Sequence, residues 1–267
     1  MMELNMKTTL FLICLLFTFS TIVVIESSPG KSGANRSTNN KSEALPFAVV
    51  ELFTSEGCSS CPSADALLGE IVQESRKNGQ RVFALAFHVD YWDYIGWKDP
   101  FANRAFADRQ RRYADALRSN RLYTPQMIVN GQREFVGSDR SRANAAIQWA
   151  LAQPARVEVK LQKQKTSPPN EWVLSYEVLG LSKEAVLQIA LVERGLVNNI
   201  KRGENSGRTL RHENVVRMFQ TVSLKNSQSG LVAIELPNTV KLQNSSIIGY
   251  VQDIKTMGVL GAVGLEL

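Results

Sequence analysis

The stretch Ala48-Val49-Val50-Glu51-Leu52-Phe53-Thr54-Ser55-Glu56-Gly57-Cys58-Ser59-Ser60-Cys61-Pro62 decides how this chain is read. Its first six residues are an apolar run broken only by Glu51, the pattern of a strand buried on both faces. Beyond Pro62 a helix is expected: Ala64, Leu67, Leu68, Ile71 and Val72 recur at spacings that make one apolar stripe. Two cysteines three apart at the start of a helix can close a disulfide and reopen it. The third cysteine, Cys14, lies in an apolar N-terminal segment and reads as a filler residue there. A structural staple gains most when it closes a long loop. A ring this short gains little, which favours a redox or a metal-holding role.

Working outward, Lys7 precedes an apolar stretch from Leu10 to Ile25, the pattern of an export signal. No clean small-x-small site follows it, so an uncleaved anchor is the alternative, with residues 8–25 as a membrane tether. Either way the protein is expected to be exported, periplasmic or secreted, where disulfides persist. Residues 26–45 are rich in Ser, Asn, Gly and Lys and read as a flexible linker. Asn35-Arg36-Ser37 and Asn40-Lys41-Ser42 fit the glycosylation pattern. The 267 residues predict about two domains. A net charge of +6, with no basic stripe interleaved with aromatics, argues against nucleic acid.

Residues 46–153 alternate strand and helix patterns. Val82–Val89 is a second apolar strand, and residues 100–120 carry Ala102, Phe106, Tyr113 and Leu117 on one helical side. Met127–Val129, Asn130-Gly131 and Phe135-Val136 read as a hairpin with a type I′ turn. Ala143, Ala146, Ile147, Ala150 and Leu151 form a closing helix, stopped by Pro154. The order β-α-β-α-β-β-α predicts an α/β domain with mixed strand directions. From residue 154 the helical period gives way to alternation. Val157, Val159 and Leu161 begin it, then Trp172, Leu174, Tyr176 and Val178. Further strands are expected at Val186–Val192, Val215–Leu224, Leu231–Leu236, Ile247–Val251 and Val259–Val263. About seven such strands predict an all-β sandwich domain over 154–267.

The order of elements around Cys58 and Cys61 resembles the thioredoxin fold. The resemblance implies an exposed nucleophile at Cys58, where helix N–H groups stabilise a thiolate, and a buried resolving thiol at Cys61. It implies a cis-proline at Thr124-Pro125, with Thr124 offering backbone to an extended substrate. It also implies a buried acid near Glu51 that deprotonates the resolving cysteine; the alternative for Glu51 is an edge-exposed side chain. A closer resemblance is to a secreted thioredoxin-like family known only as domain of unknown function 1223. It is carried by Val50 through Pro62, by Phe87-His88-Val89-Asp90-Tyr91-Trp92-Asp93 and by Gly96-Trp97-Lys98-Asp99-Pro100. Arg109-Gln110, Tyr123-Thr124-Pro125-Gln126 and Arg202-Gly203-Glu204-Asn205 extend it. That family supplies no substrate.

His88 and Asp90 alternate along a strand and share a face. With Trp92 and Trp97 they read as a substrate-binding wall in which His88 moves protons or binds a ligand. The rival reading makes the aromatics a cover over a domain interface. Arg109, Arg111 and Arg112 read as a solvated helix face. The turn-rich loop from Ile200 to Gly207, with His212 soon after, either closes one end of the β domain, the favoured reading, or reaches back to the CxxC pair.

Three functions are compatible with these residues. The first is a thiol–disulfide oxidoreductase without cofactor, acting on protein thiols or disulfides through Cys58 and Cys61. The second is a copper(I) or zinc module using Cys58, Cys61 and His88. The third is a non-catalytic partner-binding protein with an idle Cys58–Cys61 disulfide.

Overall fold

Every residue of Ala48–Thr54 is buried, and together they form strand β1. The computed structural model describes residues 44–164 and 171–267; the expected export segment and linker residues 26–43 lie outside the described residues. After β1 come helix α1 (Pro62–Asn78), strand β2 (Val82–His88), a 3-10 turn (Asp90–Ile95) and helix α2 (Arg104–Leu117). The hairpin β3 (Gln126–Val129) and β4 (Arg133–Val136) and helix α3 (Arg140–Leu151) complete this half, in the order expected. Pro62 sits in the first turn of α1, where its missing N–H costs nothing. Gly79 closes the helix in the left-handed conformation. Asn103 and Asp139 cap α2 and α3 through their side chains. In the hairpin Asn130 and Gly131 both take positive φ, 48° and 67°. The strands close one residue later than a two-residue loop would, because Val129 pairs with Arg133.

The second half contains β5 (Glu158–Lys163), β6 (Glu171–Leu179), β7 (Ala185–Glu193), β8 (Leu196–Asn199) and β9 (Thr209–His212). It ends with β10 (Val215–Ser223), β11 (Ser229–Glu235), β12 (Ser245–Asp253) and β13 (Val259–Glu266). These strands do not stand apart from the first half. One eight-stranded mixed sheet runs β13-β12-β7-β10-β2-β1-β3-β4, so the expected boundary at residues 153 and 154 does not separate two sheets. The join is β10 beside β2, where Val215 pairs with Ala86 and Asn214 Nδ2 donates to the Ala84 carbonyl at 2.8 Å. The physical reason is that β2 would otherwise leave an open strand edge. Ser42–Leu267 accordingly forms one compact unit. A three-stranded sheet, β11-β6-β5, and a two-stranded sheet, β8-β9, complete a mixed α/β fold.

Alternation along β1 divides the core. Ala48, Val50 and Leu52 pack with Leu67, Leu68 and Ile71 under α1. Phe47, Val49 and Phe53 pack on the opposite face with Phe106 and Tyr113 of α2 and with Tyr250 of β12. A third cluster lies between the three-stranded sheet and β7, β12 and β13, centred on Leu174, Leu187, Ile189 and Ile234. Each side chain of this kind contributes about 1.5–3 kcal/mol when fully buried. Among the described residues no helix is long and apolar enough to cross a membrane.

Candidate functional site

The chain leaves β1 at Thr54 and turns sharply, the Cys58 amide donating to the Ser55 carbonyl at 3.2 Å. A second turn brings the Cys61 amide to the Cys58 carbonyl, also at 3.2 Å, and α1 starts. Cys58 and Cys61 are joined as a disulfide, with Cα atoms 5.4 Å apart. The peptide bond Thr124-Pro125 is cis, and the Thr124 carbonyl oxygen lies 3.9 Å from Cys58 Sγ. Gln110 of α2 braces this segment on both sides. Its Nε2 donates to the Tyr123 carbonyl at 2.8 Å and to Gln126 Oε1 at 2.9 Å.

Two expectations change here. Cys58 is not exposed: it is 1% accessible, against 0% for Cys61. The loop between β8 and β9 covers it. Asn205 Nδ2 donates to the carbonyls of Glu56 at 2.8 Å and Cys58 at 2.9 Å. Gly203 takes a φ of 76°, and a Cβ there would come within 3.3 Å of Trp97 Cβ. The loop thus reaches back to the cysteines rather than closing the far end of the β-rich half.

Glu51 is buried, but it faces away from α1 because it shares its side of β1 with Val49 and Phe53. Both carboxylate oxygens are taken. Arg109 Nε donates to Oε2 at 2.7 Å and Nη2 to Oε1 at 2.8 Å. Tyr113 and Tyr250 add their hydroxyls to Oε1 at 2.7 and 3.2 Å. Arg109, expected on a solvated face, is wholly buried, since Glu51 is the counter-charge that makes its burial possible. Arg111 and Arg112 are exposed as expected.

On the α1 side of the sheet, next to the cysteines, five ionisable side chains are buried together. His88 Nδ1 and Asp99 Oδ2 are 2.7 Å apart, and His212 Nε2 and Glu56 Oε1 are 3.1 Å apart. The two imidazoles stand edge to face with centroids 5.0 Å apart. Asp65, one helical turn beyond Cys61, places Oδ2 3.7 Å from His212 Nδ1. Trp97 Nε1 and Asn198 Nδ2 donate to the two oxygens of Glu56 at 2.8 and 2.7 Å. Burial pushes the Asp65 carboxyl up, against the pull of His212 and His88. Burial opposes charge on His88, but the Asp99 carboxylate outweighs it and the imidazole's pKa is raised. Asp99 itself is held low: burial works against its charge, and His88 with two backbone amides wins. Among the described residues, His88 Nε2 and His212 Nδ1 have no hydrogen-bond partner.

His88 is therefore an interior residue rather than part of an open wall, and its carboxylate partner is Asp99, not Asp90. Asp90 is half-buried and begins the 3-10 turn. Trp92 joins that turn to the cis-proline segment, donating Nε1 to Thr124 Oγ1 at 2.7 Å. The ligand set Cys58, Cys61 and His88 is not assembled, because the sulfurs bond to each other and His88 Nδ1 to Asp99. Among the described residues no group of three or more His, Cys, Asp and Glu side chains is arranged to hold a metal ion. Glu56, Asp65, Asp99, Asn205 and His212 escaped the sequence reading as site residues. Glu56, Asp99 and Asn205 lie inside the motifs that carry the family resemblance, which was the available signal.

These motifs match the family described as protein of unknown function (DUF1223), over residues 49–252. The chain belongs to that family. Among solved structures, this DUF1223 chain is similar to a crystal structure of an Agrobacterium tumefaciens protein. The identity is 28% and the TM-score 0.62, covering 84% of this chain and 95% of that one. It shares its fold with HBP35 of Porphyromonas gingivalis at 16% identity and a TM-score of 0.57, covering 84% of this chain and 76% of that one. A search of the curated proteins finds no match.

Proposed function

We propose that this DUF1223 protein is an exported thiol–disulfide oxidoreductase, in which a thioredoxin-like frame over residues 46–153 carries Cys58 and Cys61 and a β-rich portion supports it. The observation that carries the reading is the Cys58–Cys61 pair at the start of α1, with the Thr124 carbonyl 3.9 Å from Cys58 Sγ. In the reduced protein the Cys58 thiolate attacks a substrate disulfide. One substrate sulfur bonds to Cys58 and the other leaves as a thiolate that takes a proton. Cys61 loses its proton and attacks Cys58 Sγ, which closes the intramolecular disulfide and releases the second substrate thiolate. The opposite direction runs through the same mixed disulfide.

Glu51 does not suit the role of proton acceptor, since it faces the other side of the sheet and is fully occupied by Arg109. Asp65 takes that role in this proposal. It is a buried carboxyl on the α1 side, and its amide donates to the Cys61 carbonyl at 3.0 Å. Substrates are protein thiols or disulfides, which reach the pair past Trp92 and the loop between β8 and β9. The apolar stretch Leu10 to Ile25 supports export. The test is insulin-type disulfide reduction: Cys58→Ser is expected to lose all activity, and full activity in that variant would refute the reading.

The burial of both cysteines favours a second reading, a structural disulfide in a partner-binding protein. Equilibration of the native protein with glutathione separates the two. Exchange through a Cys58–glutathione mixed disulfide supports the oxidoreductase. Absence of exchange until the protein unfolds supports the structural disulfide.

A further inference from the structure

The loop between β8 and β9 also places a charge on the turn that leads from Cys58 into α1. Glu204 Oε2 accepts from the Ser59 amide at 2.9 Å. Hydrogen bonding from Ser59 holds the Glu204 carboxyl below its ordinary range. The adjacent Asn205 is wholly buried and fixes the loop by its two bonds to Glu56 and Cys58, while its Oδ1 accepts from Arg208 Nη1 at 2.8 Å. No side chain of the helix's own N-cap residue, Cys61, satisfies the amides at this end. Free backbone amides close to a cysteine, with the dipole of the helix that follows, stabilise its thiolate. Here a carboxylate from a residue 145 positions away engages one of the amides next to Cys58.

We propose that Glu204 is a positioning residue that sets the acidity of Cys58: its carboxylate takes up the amide of the residue next to Cys58 and holds a negative charge there, so the thiolate is stabilised less than it would be with that amide free. The proposal rests on the reading that Cys58 and Cys61 exchange thiols, and it moves the pair toward a less acidic, more slowly attacking Cys58. Other charged groups belong to the elements packed around the pair. Glu56 precedes the pair, Asp65 stands on α1, and His88, Asp99 and His212 lie behind it. Asp90 and Asp93 stand on the 3-10 turn, and Lys201, Arg202 and Arg208 lie on the loop. All of these are unchanged when Glu204 is replaced by its neutral isostere, which keeps the acceptor oxygen and removes the charge.

The experiment uses the reduced full chain. The pH dependence of alkylation by iodoacetamide, with the labelled cysteine identified by mass spectrometry, gives the Cys58 pKa. Glu204→Gln is expected to lower that pKa by about half a unit to one unit, the size expected when one screened charge bonded to the neighbouring residue is removed. Below both pKa values this is about three- to tenfold more thiolate. High salt is expected to lower the Cys58 pKa of the natural protein toward that of Glu204→Gln and to narrow the difference. An unchanged or raised pKa in Glu204→Gln overturns the proposal, as does a difference between the two proteins that salt leaves untouched. Exchange with glutathione is measured on the same samples. If the natural protein exchanges but the pKa does not shift, this proposal alone fails. If the pKa shifts but no exchange occurs, the oxidoreductase reading fails and the effect on acidity stands.

Discussion

Replacing Arg109 with methionine tests whether the two halves of this chain fold as one unit. Arg109 comes from α2, Glu51 from β1, and Gln252 and Tyr250 from β12, so one guanidinium ties three elements far apart in sequence. The side chains of Arg109 and Glu51 are each only 1% accessible. Four aromatic rings surround the guanidinium, with Phe219 at 4.9 Å and Tyr113 at 5.0 Å. Arg109→Met therefore leaves a buried carboxylate with tyrosine hydroxyls but no counter-charge. Breaking one partner of a buried ion pair costs about 3–5 kcal/mol. That is a large share of the roughly 5–15 kcal/mol that holds a typical domain folded. For a chain of this size it lowers the melting temperature by about 6–20 °C. Urea unfolding followed by tryptophan fluorescence and by circular dichroism measures it, and coincident transitions are expected because the sheet is continuous. The double variant Glu51→Leu/Arg109→Met removes both charges and should recover most of the loss. It falls short by about 1–3 kcal/mol because the Tyr250 hydroxyl and Gln252 lose partners. A single-variant loss below about 1 kcal/mol, or a double variant no better than Arg109→Met, would refute the reasoning.

The His88–Asp99 pair makes stability depend on pH in two directions. His88 has a raised pKa in the folded protein, so its contribution is full below the unfolded value of about 6.5 and is lost as pH rises through the folded value. Asp99 has a lowered pKa, so its contribution is present above the unfolded value of about 3.9 and is lost as pH falls through the folded value. In His88→Gln the fall in urea midpoint on the alkaline side should flatten; an unchanged profile would assign that slope to other groups. Asp65 has a raised pKa through burial, so folding is disfavoured as its carboxyl ionises, and Asp65→Asn should be more stable at neutral pH. The same variant should slow disulfide exchange at the Cys61 step, and normal exchange kinetics would remove Asp65 from the proposed chemistry. Asn205→Ala loses the bonds to Glu56, Cys58 and Arg208 at a cost of about 1–3 kcal/mol. It should also speed reduction of the disulfide by dithiothreitol, whereas an unaltered rate would mean that the loop does not guard Cys58.

Local pattern alone determined much of this protein. The apolar run before Cys58, the stripe of α1, the Asn130-Gly131 turn and the alternation of the later strands each depend on residues close in sequence. The elements those periods marked formed there, while β8 and β9, short strands within a turn-rich stretch, were not marked by any period. The CxxC pair at a helix start was legible for the same reason, whereas the cis-proline after Thr124 was implied by the resemblance to the thioredoxin fold. Tertiary structure decided the rest. Glu51 looked like an acid for the cysteines until β1 turned it toward α2. Arg109 looked solvated because a charged residue in a helix window has the same appearance whether it meets water or a buried carboxylate. His212 joined Glu56 across 156 positions, and Asn205 reached Cys58 across 147, separations that no local period encodes. The edge of β2 needed a partner, and β10 supplied it, carrying with it the loop that now covers the disulfide.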